Sequence, residues 1–255
     1  MMNAKALARF LYASIPGLAA VRFAAKDFTA PYFAKPEFGG IPGLSLGNGL
    51  IVDIGANRGQ SIEAFKRLAP ASRIVAFEPE PQCATHLEAR YGHDSRVTTY
   101  RYALGAASGV LTFFVPKYGQ WDCDGMSATN YKDATEWLRD PGRMLIFNEA
   151  KLSVKEHPVE CRTLDSLALT PCLVKVHAQG AEFDILKGSR ATIEQYRPAL
   201  MLAFATPEVD TLLGGWHYRP YDYRQGYFTR GIAPRPRTFT WYLTEDHLRR
   251  VLVRG

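Results

Sequence analysis

The chain lacks most of the features that would place it outside ordinary globular chemistry. Of its 255 residues only four are cysteines, Cys83, Cys123, Cys161 and Cys172, widely spaced and with no C-x-x-C pair. This argues against a disulfide framework and a structural zinc site, and leaves reduced thiols in a cytoplasmic protein as the expectation. The six histidines, at 86, 93, 157, 177, 217 and 247, show no metal-ligand spacing, so no metal is predicted. No apolar run is long enough to span a bilayer. The moderately apolar stretch from Ala6 to Ala25 is interrupted by Arg9, Pro16-Gly17 and Arg22, and no small-x-small cleavage site follows it. It is expected instead as a terminal helix with Leu7, Phe10 and Leu11 on one face, packed on the domain, on a substrate cleft, or in peripheral contact with a membrane surface. Internal repeats and low-complexity segments are also absent.

Charge is present but uneven. The formal net charge is +6, yet residues 216 to 255 hold eight arginines against three acids, so the rest of the chain is nearly neutral. Nucleic acid is therefore not implied by the total. With 47% hydrophobic and 22% charged residues, the composition fits one large α/β domain with a small extension. Residues 1–49 read as a helix and a Pro/Gly-rich lead-in, with Pro31, Pro36 and Pro42 among five glycines between 39 and 49, and 50–255 as the main domain. Apolar strands are expected at Ile51–Ile54, Ile74–Phe77, Val97–Leu104, Gly109–Val115, Leu173–Ala178 and Ala199–Phe204, with regular structure resuming at Val159–Leu167 before the last two. Between them helices follow Gly59, start near Glu80-Pro81 and run over about 180–190. This alternation predicts an α/β fold with a doubly wound, mainly parallel sheet and its ligand at the carboxyl ends of the strands. Residues 116–150 show no clean period and read as a lid or substrate loop. Within them Trp121, Asp122 and Asp124 have the character of sugar contacts, an aromatic platform with nearby acids, although an ordinary loop that hydrogen-bonds to itself is the commoner origin of such a cluster.

The first strand runs into Asp53-Ile-Gly55-Ala-Asn57-Arg-Gly59, and the second ends in Glu78, nineteen residues after Gly59. Two glycines let the backbone turn tightly against a ligand, and an acid at that strand end accepts hydrogen bonds from ribose hydroxyls. A dinucleotide site would have a second glycine at position 57. Here Asp53 precedes the turn, where it opposes a phosphate but not a cationic ligand, so S-adenosyl-L-methionine suits the site better than NAD. A third polar element, Lys175-Val-His177-Ala-Gln179-Gly180-Ala181-Glu182, combines a strand end, a glycine turn and a helix start. His177 and Glu182 are the candidates for base or acceptor-orienting group. Each also has a bland explanation, as a hydrogen-bonded strand-end histidine and a first-turn acid. The C-terminal arginines alternate with Tyr218, Tyr221, Tyr223, Tyr227, Phe228, Phe239, Trp241 and Tyr242. That pattern suits single-stranded nucleic acid or a sugar face, but the commoner origin is antiparallel terminal strands that bury Phe239 and Trp241.

Taken together, Val52–Gly59, Phe77-Glu78-Pro79, Ala103-Leu104-Gly105, Thr163–Leu167, Gln179–Glu182 and Arg197-Pro198, in that order, resemble the FkbM family of S-adenosylmethionine-dependent methyltransferases over roughly residues 50 to 205. The resemblance implies a seven-stranded class I methyltransferase fold, Rossmann-like, and O-methylation, commonly of a sugar or glycan hydroxyl. It places Asp53, Gly55, Asn57 and Gly59 around the methionine part of the cofactor, Glu78 on the ribose, and Ala103 and Leu104 beside the adenine. Two positions depart from the family pattern: His177 and Ala203 stand where acids are usual. The alternative expectation is therefore a protein that keeps the cofactor site without catalysis.

Overall fold

A computed structural model of the chain describes residues 4–123, 125–234, 237–249, 251 and 253–254. Numbered along the chain, its strands are β1 (Leu50–Ile54), β2 (Arg73–Phe77), β3 (Val97–Tyr100), β4 (Ala103–Leu104), β5 (Gly109–Tyr118), β6 (Trp121–Asp122), β7 (Leu152–Arg162), β8 (Pro171–Val176), β9 (Ala199–Ala203), β10 (Arg219–Arg224), β11 (Tyr227–Arg230), β12 (Phe239–Leu243) and β13 (Val253–Arg254). The helices are α1 (Ala4–Ser14), α2 (Leu18–Thr29), α3 (Gln60–Leu68), α4 (Pro81–Tyr91), α5 (Tyr131–Thr135), α6 (Glu182–Lys187), α7 (Arg190–Tyr196), α8 (Pro207–Gly215) and α9 (Glu245–Leu248).

Nine strands form the main sheet in the order β13-β11-β10-β12-β9-β8-β1-β2-β3. The five from β3 to β9 are mutually parallel, and β12 runs antiparallel between β9 and β10. This is a mixed α/β sheet, and the expected count of seven strands is corrected to nine. The extra strands come from the C-terminal segment. Gln225 and Gly226 both take positive φ, 50° and 92°, which closes a two-residue hairpin whose turn matches the twist of β10 and β11.

Strand side chains alternate between two cores. Ile51, Leu173, Met201 and Trp241 pack with Ile62 and Phe65 of α3 and Leu87 of α4 on one face. Val52, Ile54, Val174, Val176 and Leu202 pack with α6, α7 and α8 on the other. The sheet is therefore wound with helices on both faces. Phe239, Trp241 and Tyr242 of β12 are buried, so packing accounts for these aromatics of the arginine-rich tail.

The stretch Val97–Leu104, expected as one strand, is two. Tyr100, Tyr102 and Phe77 form a three-ring cluster with centroids 5.2–5.4 Å apart, and the chain bends at Tyr102 to send β4 into a second sheet. That sheet, ordered β4-β7-β5-β6, is built on a long hairpin of β5 and β7, paired from Gly109–Cys161 to Tyr118–Leu152. The segment expected as an irregular loop at 116–150 is folded. It carries β6, α5 and a 3-10 turn around Tyr118, Trp121, Trp137, Leu138 and Met144. Asp124, read from sequence as a sugar contact, lies outside the described residues.

The N-terminal helix exists, with a different buried face. Ala6 and Ala13 are buried and Phe10 joins the Trp121–Trp137 core, whereas Leu11 is exposed. The backbone of Gln120 donates to Ala13 O at 3.0 Å, tying α1 to this cap. No helix among the described residues is long and apolar enough to cross a membrane.

The lead-in is fixed by a buried acid. Glu37, in a 3-10 turn at Pro36–Gly40, accepts the backbone N–H of Thr238 at 2.7 Å and of Phe239 at 3.4 Å, while its carbonyl accepts Trp241 Nε1 at 2.9 Å. Glu37→Ala strands these backbone donors and is expected to lower stability by about 1–3 kcal/mol in urea unfolding, with Glu37→Gln, which keeps an acceptor, losing less.

Candidate functional site

The parallel strands end at a cavity of about 660 Å³, a size that encloses a small organic ligand. Its walls come from the strand ends, from β4 and β5, from α2 with the lead-in, and from the cap around Trp121.

The first turn is built on a buried ion pair. Asp53 is fully buried. Its Oδ1 accepts Lys175 Nζ at 2.8 Å and its Oδ2 accepts Ser61 Oγ at 2.5 Å. Lys175 Nζ also donates to Gly55 O at 2.7 Å. The cation that meets Asp53 is thus Lys175, and Asp53 is absent from the cavity wall, contrary to its expected place beside the cofactor. Gly55 does line the cavity with φ 74°, and a Cβ there would collide with the carbonyl of His177. Gly59 has φ 86° and lies outside the wall. A Cβ on it would strike the Tyr91 ring, whose hydroxyl donates to Gly59 O at 3.1 Å. Its role is to let α3 begin close to α4.

Asn57 lines the cavity, and its backbone N–H donates to Glu78 Oε2 at 2.7 Å, while Glu80 N–H donates to Glu78 Oε1 at 2.9 Å. Glu78 is buried, and desolvation outweighs these two hydrogen bonds, pushing its carboxyl up to about 7. Both oxygens are oriented by the backbone and retain lone pairs, so the group is set to accept further hydrogen bonds. Tyr102, Ala103 and Leu104 supply an adjacent apolar wall.

His177 reaches the cavity from the end of β8, its ring 5.5 Å from both Phe204 and Phe239. Burial, then Lys175 and Lys35, push its imidazole down to about 3, well below the value of about 6.5 on which its candidacy as a base was argued. Glu182 lies outside the wall. Its oxygens accept the backbone N–H groups of Ala178 and Gly180, each at 2.8 Å, so it braces the turn that carries Gln179. Asn57, Gln179 and Phe204 all hold left-handed φ of 50–52°, a concentration of backbone strain at the strand ends that is common where a ligand binds. Ala203 is fully buried and pairs with Phe239 across β9 and β12.

The family model for the methyltransferase FkbM domain matches residues 53–224. The chain belongs to the FkbM methyltransferase family. Membership fixes its cofactor as S-adenosyl-L-methionine. Among curated relatives, the chain is 25% identical over 155 residues to a 2-O-methyltransferase, NoeI, of Sinorhizobium fredii, covering 58% of this chain and 60% of that one. It is 32% identical over 150 residues to Methyltransferase 1 of Beauveria bassiana, covering 54% and 57%. The matches thus span about 60% of these relatives' length. The crystal structure of an FkbM methyltransferase from Methylobacillus flagellatus superposes with TM-score 0.47 at 15% identity, over 91% of this chain and 60% of that one.

Residues of this FkbM member fit the cofactor. Glu78 is an oriented acceptor for a diol, Tyr102–Leu104 form a flat apolar wall, and the Gly55–Asn57 backbone borders the space between. Several cavity residues were not visible as such in the sequence. Lys175 belongs to the strand-end motif of His177, where its type and spacing alone assign it no role. Trp121 was singled out and does line the cavity, but Asp122 pairs with Lys117 at 3.4 Å on the exposed surface. Ser127 and the cations Arg9, Arg22, Lys26 and Lys35 carried no spacing signal. For Arg9 and Arg22, the only sequence clue is their interruption of an apolar stretch.

Two outcomes follow from this geometry. Removing Lys175 alone, as Lys175→Met, leaves the buried Asp53 unpaired and should cost about 3–5 kcal/mol, whereas Asp53→Asn with Lys175→Met should recover most of that loss in the same denaturation experiment. Glu78 gives opposite pH trends for stability and for ligand. Its folded carboxyl titrates above the ordinary value of 4.5, so its contribution to apo stability is full below about pH 4.5 and is lost as pH rises through about 7. A ribose diol held by Glu78 would need the carboxylate, so affinity for S-adenosylhomocysteine should then rise by up to about tenfold per pH unit below about 7 and level off above it. Calorimetry across that window should show the rise, and Glu78→Gln should flatten it.

Proposed function

We propose that this protein is an S-adenosylmethionine-dependent O-methyltransferase acting on a hydroxyl of a sugar or glycan, on a class I methyltransferase core to which β11 and β13 are additions. The observation that carries the reading is the continuity of one cavity. It runs from Glu78 and Tyr102–Leu104 past Gly55 and Asn57 to His177 and to the cap residues Trp121 and Ser127. A cofactor and an acceptor can therefore meet without passing through solvent. The printed activity of NoeI, a 2-O-methyltransferase, supports oxygen as the methyl acceptor. Phe28, Tyr32 and Phe33 are 77%, 68% and 73% exposed, and Phe33 also lines the cavity. They support peripheral membrane contact, through α2 and the segment after it, by a lipid-linked acceptor.

The bound cofactor supplies a methyl group already activated by its sulfonium. The residues of this chain have three tasks: to hold the ribose through Glu78, to shape the turn at Gly55–Asn57, and to align the acceptor oxygen while water is kept out. His177 is the side chain placed for the last. Held neutral by burial and by two lysines, it can accept a hydrogen bond from a hydroxyl at any ordinary pH. It is a weak base, so its contribution lies in orientation more than in proton uptake. The same weakness, with no carboxylate at position 203, favours a second reading in which the cofactor binds and no transfer occurs.

Calorimetry with S-adenosylhomocysteine followed by a labelled-methyl transfer assay on glycan acceptors separates the two readings. Binding with transfer is expected, and binding without transfer to any acceptor supports the second reading. His177→Ala should lower kcat by about 10²-fold while leaving cofactor affinity in place, and kcat of the native protein should show no titration near pH 6.5. An unchanged turnover in His177→Ala removes its role. Mass spectrometry of cell-surface glycans with and without the protein should show the loss of one methylene mass from a single sugar.

A further inference from the structure

The cavity wall holds six cations and two acids. Arg58 pairs with Asp27 and Lys175 with Asp53, while Glu80 caps α4 by accepting the N–H groups of Gln82 and Cys83. The remaining four cations, Arg9, Arg22, Lys26 and Lys35, form no ion pair among the described residues and come from α1, α2 and the lead-in. Three of them lie over aromatic rings. Arg9 lies 5.7 Å over Trp137, Arg22 lies 5.1 Å over Tyr12, and Lys35 Nζ lies 5.0 Å from the Phe239 ring. Such contacts orient a cation without neutralising it. Arg9 also donates to the carbonyl of Arg143 at 3.0 Å and Lys35 to Thr238 Oγ1 at 2.7 Å, which leaves each with further donors. The four also act on one another. After burial, Arg22 and Lys35 lower Lys26, and Arg143 and Arg22 lower Arg9; Asp27, Asp140 and Glu37 act the other way on Lys26, Arg9 and Lys35, but burial and the cations prevail and all three stay lowered.

A second observation is independent of charge. Trp121 Nε1 and Ser127 Oγ are buried with no hydrogen-bond partner, in residues 4% and 8% exposed that line this same cavity. Trp121 adjoins both arginines through its neighbours, since its ring lies 6.2 Å from Tyr12 and 5.7 Å from Trp137. An indole N–H can only donate, and leaving it unpaired costs free energy that a ligand oxygen would restore.

We propose that the methyl acceptor carries an oxyanion, a phosphate or a carboxylate, held by Arg9, Arg22, Lys26 and Lys35 and accepting hydrogen bonds from Trp121 and Ser127. The inference rests on the methyl-transfer reading for the word acceptor, and on the cavity alone for the anion. A neutral sugar would leave four cavity cations without an ion-pair partner among the described residues. The cofactor's own carboxylate accounts for one of them at most.

The test is calorimetry on the full chain, with and without saturating S-adenosylhomocysteine, using glucose 6-phosphate, glucuronate and glucose as probes. At least one charged probe should bind about tenfold or more tightly than glucose, with an affinity that falls as salt rises. The stronger of the two identifies the anion. Arg22→Gln and Lys35→Gln should each weaken the charged probe by about fivefold or more while S-adenosylhomocysteine affinity holds, and Trp121→Phe should act in the same direction. Equal binding of glucose and the charged probes, no binding of either charged probe, or variants that weaken S-adenosylhomocysteine instead would each overturn the proposal. Failure of the native protein to bind S-adenosylhomocysteine at all would instead sink the methyltransferase reading, so the two failures are distinguishable.

Discussion

The buried pair of Asp53 and Lys175 is the contact on which the site depends. It joins the middle strands β1 and β8 inside a sheet whose other side chains there are aliphatic. Two charges taken out of water contribute little net stability even when well paired, but a mispaired register would leave both exposed to the low-dielectric core. The pair therefore acts on specificity. Lys175 also binds the carbonyl of Gly55, which fixes the backbone just where it leaves the sheet. Since Gly55 has no Cβ, the carbonyl of His177 can lie against it. From this point one branch runs through Asn57 N–H to the carboxylate of Glu78, and the other runs along β8 to His177.

This explains which parts of the site were legible in the sequence. Gly55, Gly59 and Glu78 are set by local constraints, a tight turn and a strand end, and local constraints leave fixed spacings. Asp53 belongs to the same motif, but its partner is 122 residues away in the chain. The expectation of a cationic neighbour was sound in chemistry and met by Lys175 rather than by a ligand. Glu182 shows the reverse, since its backbone partners are two and four residues away, and the first-turn reading came closer than the catalytic one. The imidazole of His177 could be placed at a strand end, but its low basicity arises first from burial and then from Lys175 and Lys35, which converge from different elements.

The cap was less legible for a different reason. Amphipathic helices and half-buried strands announce themselves by a period, whereas the core of Tyr118, Trp121, Trp137, Leu138 and Met144 is assembled from turns and short elements with irregular spacing. Part of this core is also supplied by Phe10, Tyr12 and Phe23 of the N-terminal helices, far earlier in the chain. The helices looked peripheral because the face that seats them is made by the later segment. Together they turn an open strand edge into an enclosed cavity.

Enclosure raises the weight of charge inside the cavity, because interactions screened in water persist where solvent is excluded. Lys35 and Lys175 flank Phe239 and His177, and neither of these is an acid. With a sulfonium cofactor bound, the positive excess is at its greatest, and so is the attraction for an anionic acceptor. In the proposed reaction the sulfonium becomes a neutral thioether and the acceptor hydroxyl gives up its proton, and once that proton reaches solvent the cavity carries one positive charge fewer. The cavity as a whole then attracts an anionic product less than it attracted the acceptor. On this reading a site poor in carboxylates, which is a weakness for proton removal, favours assembly of the reactant complex and release of the methylated product.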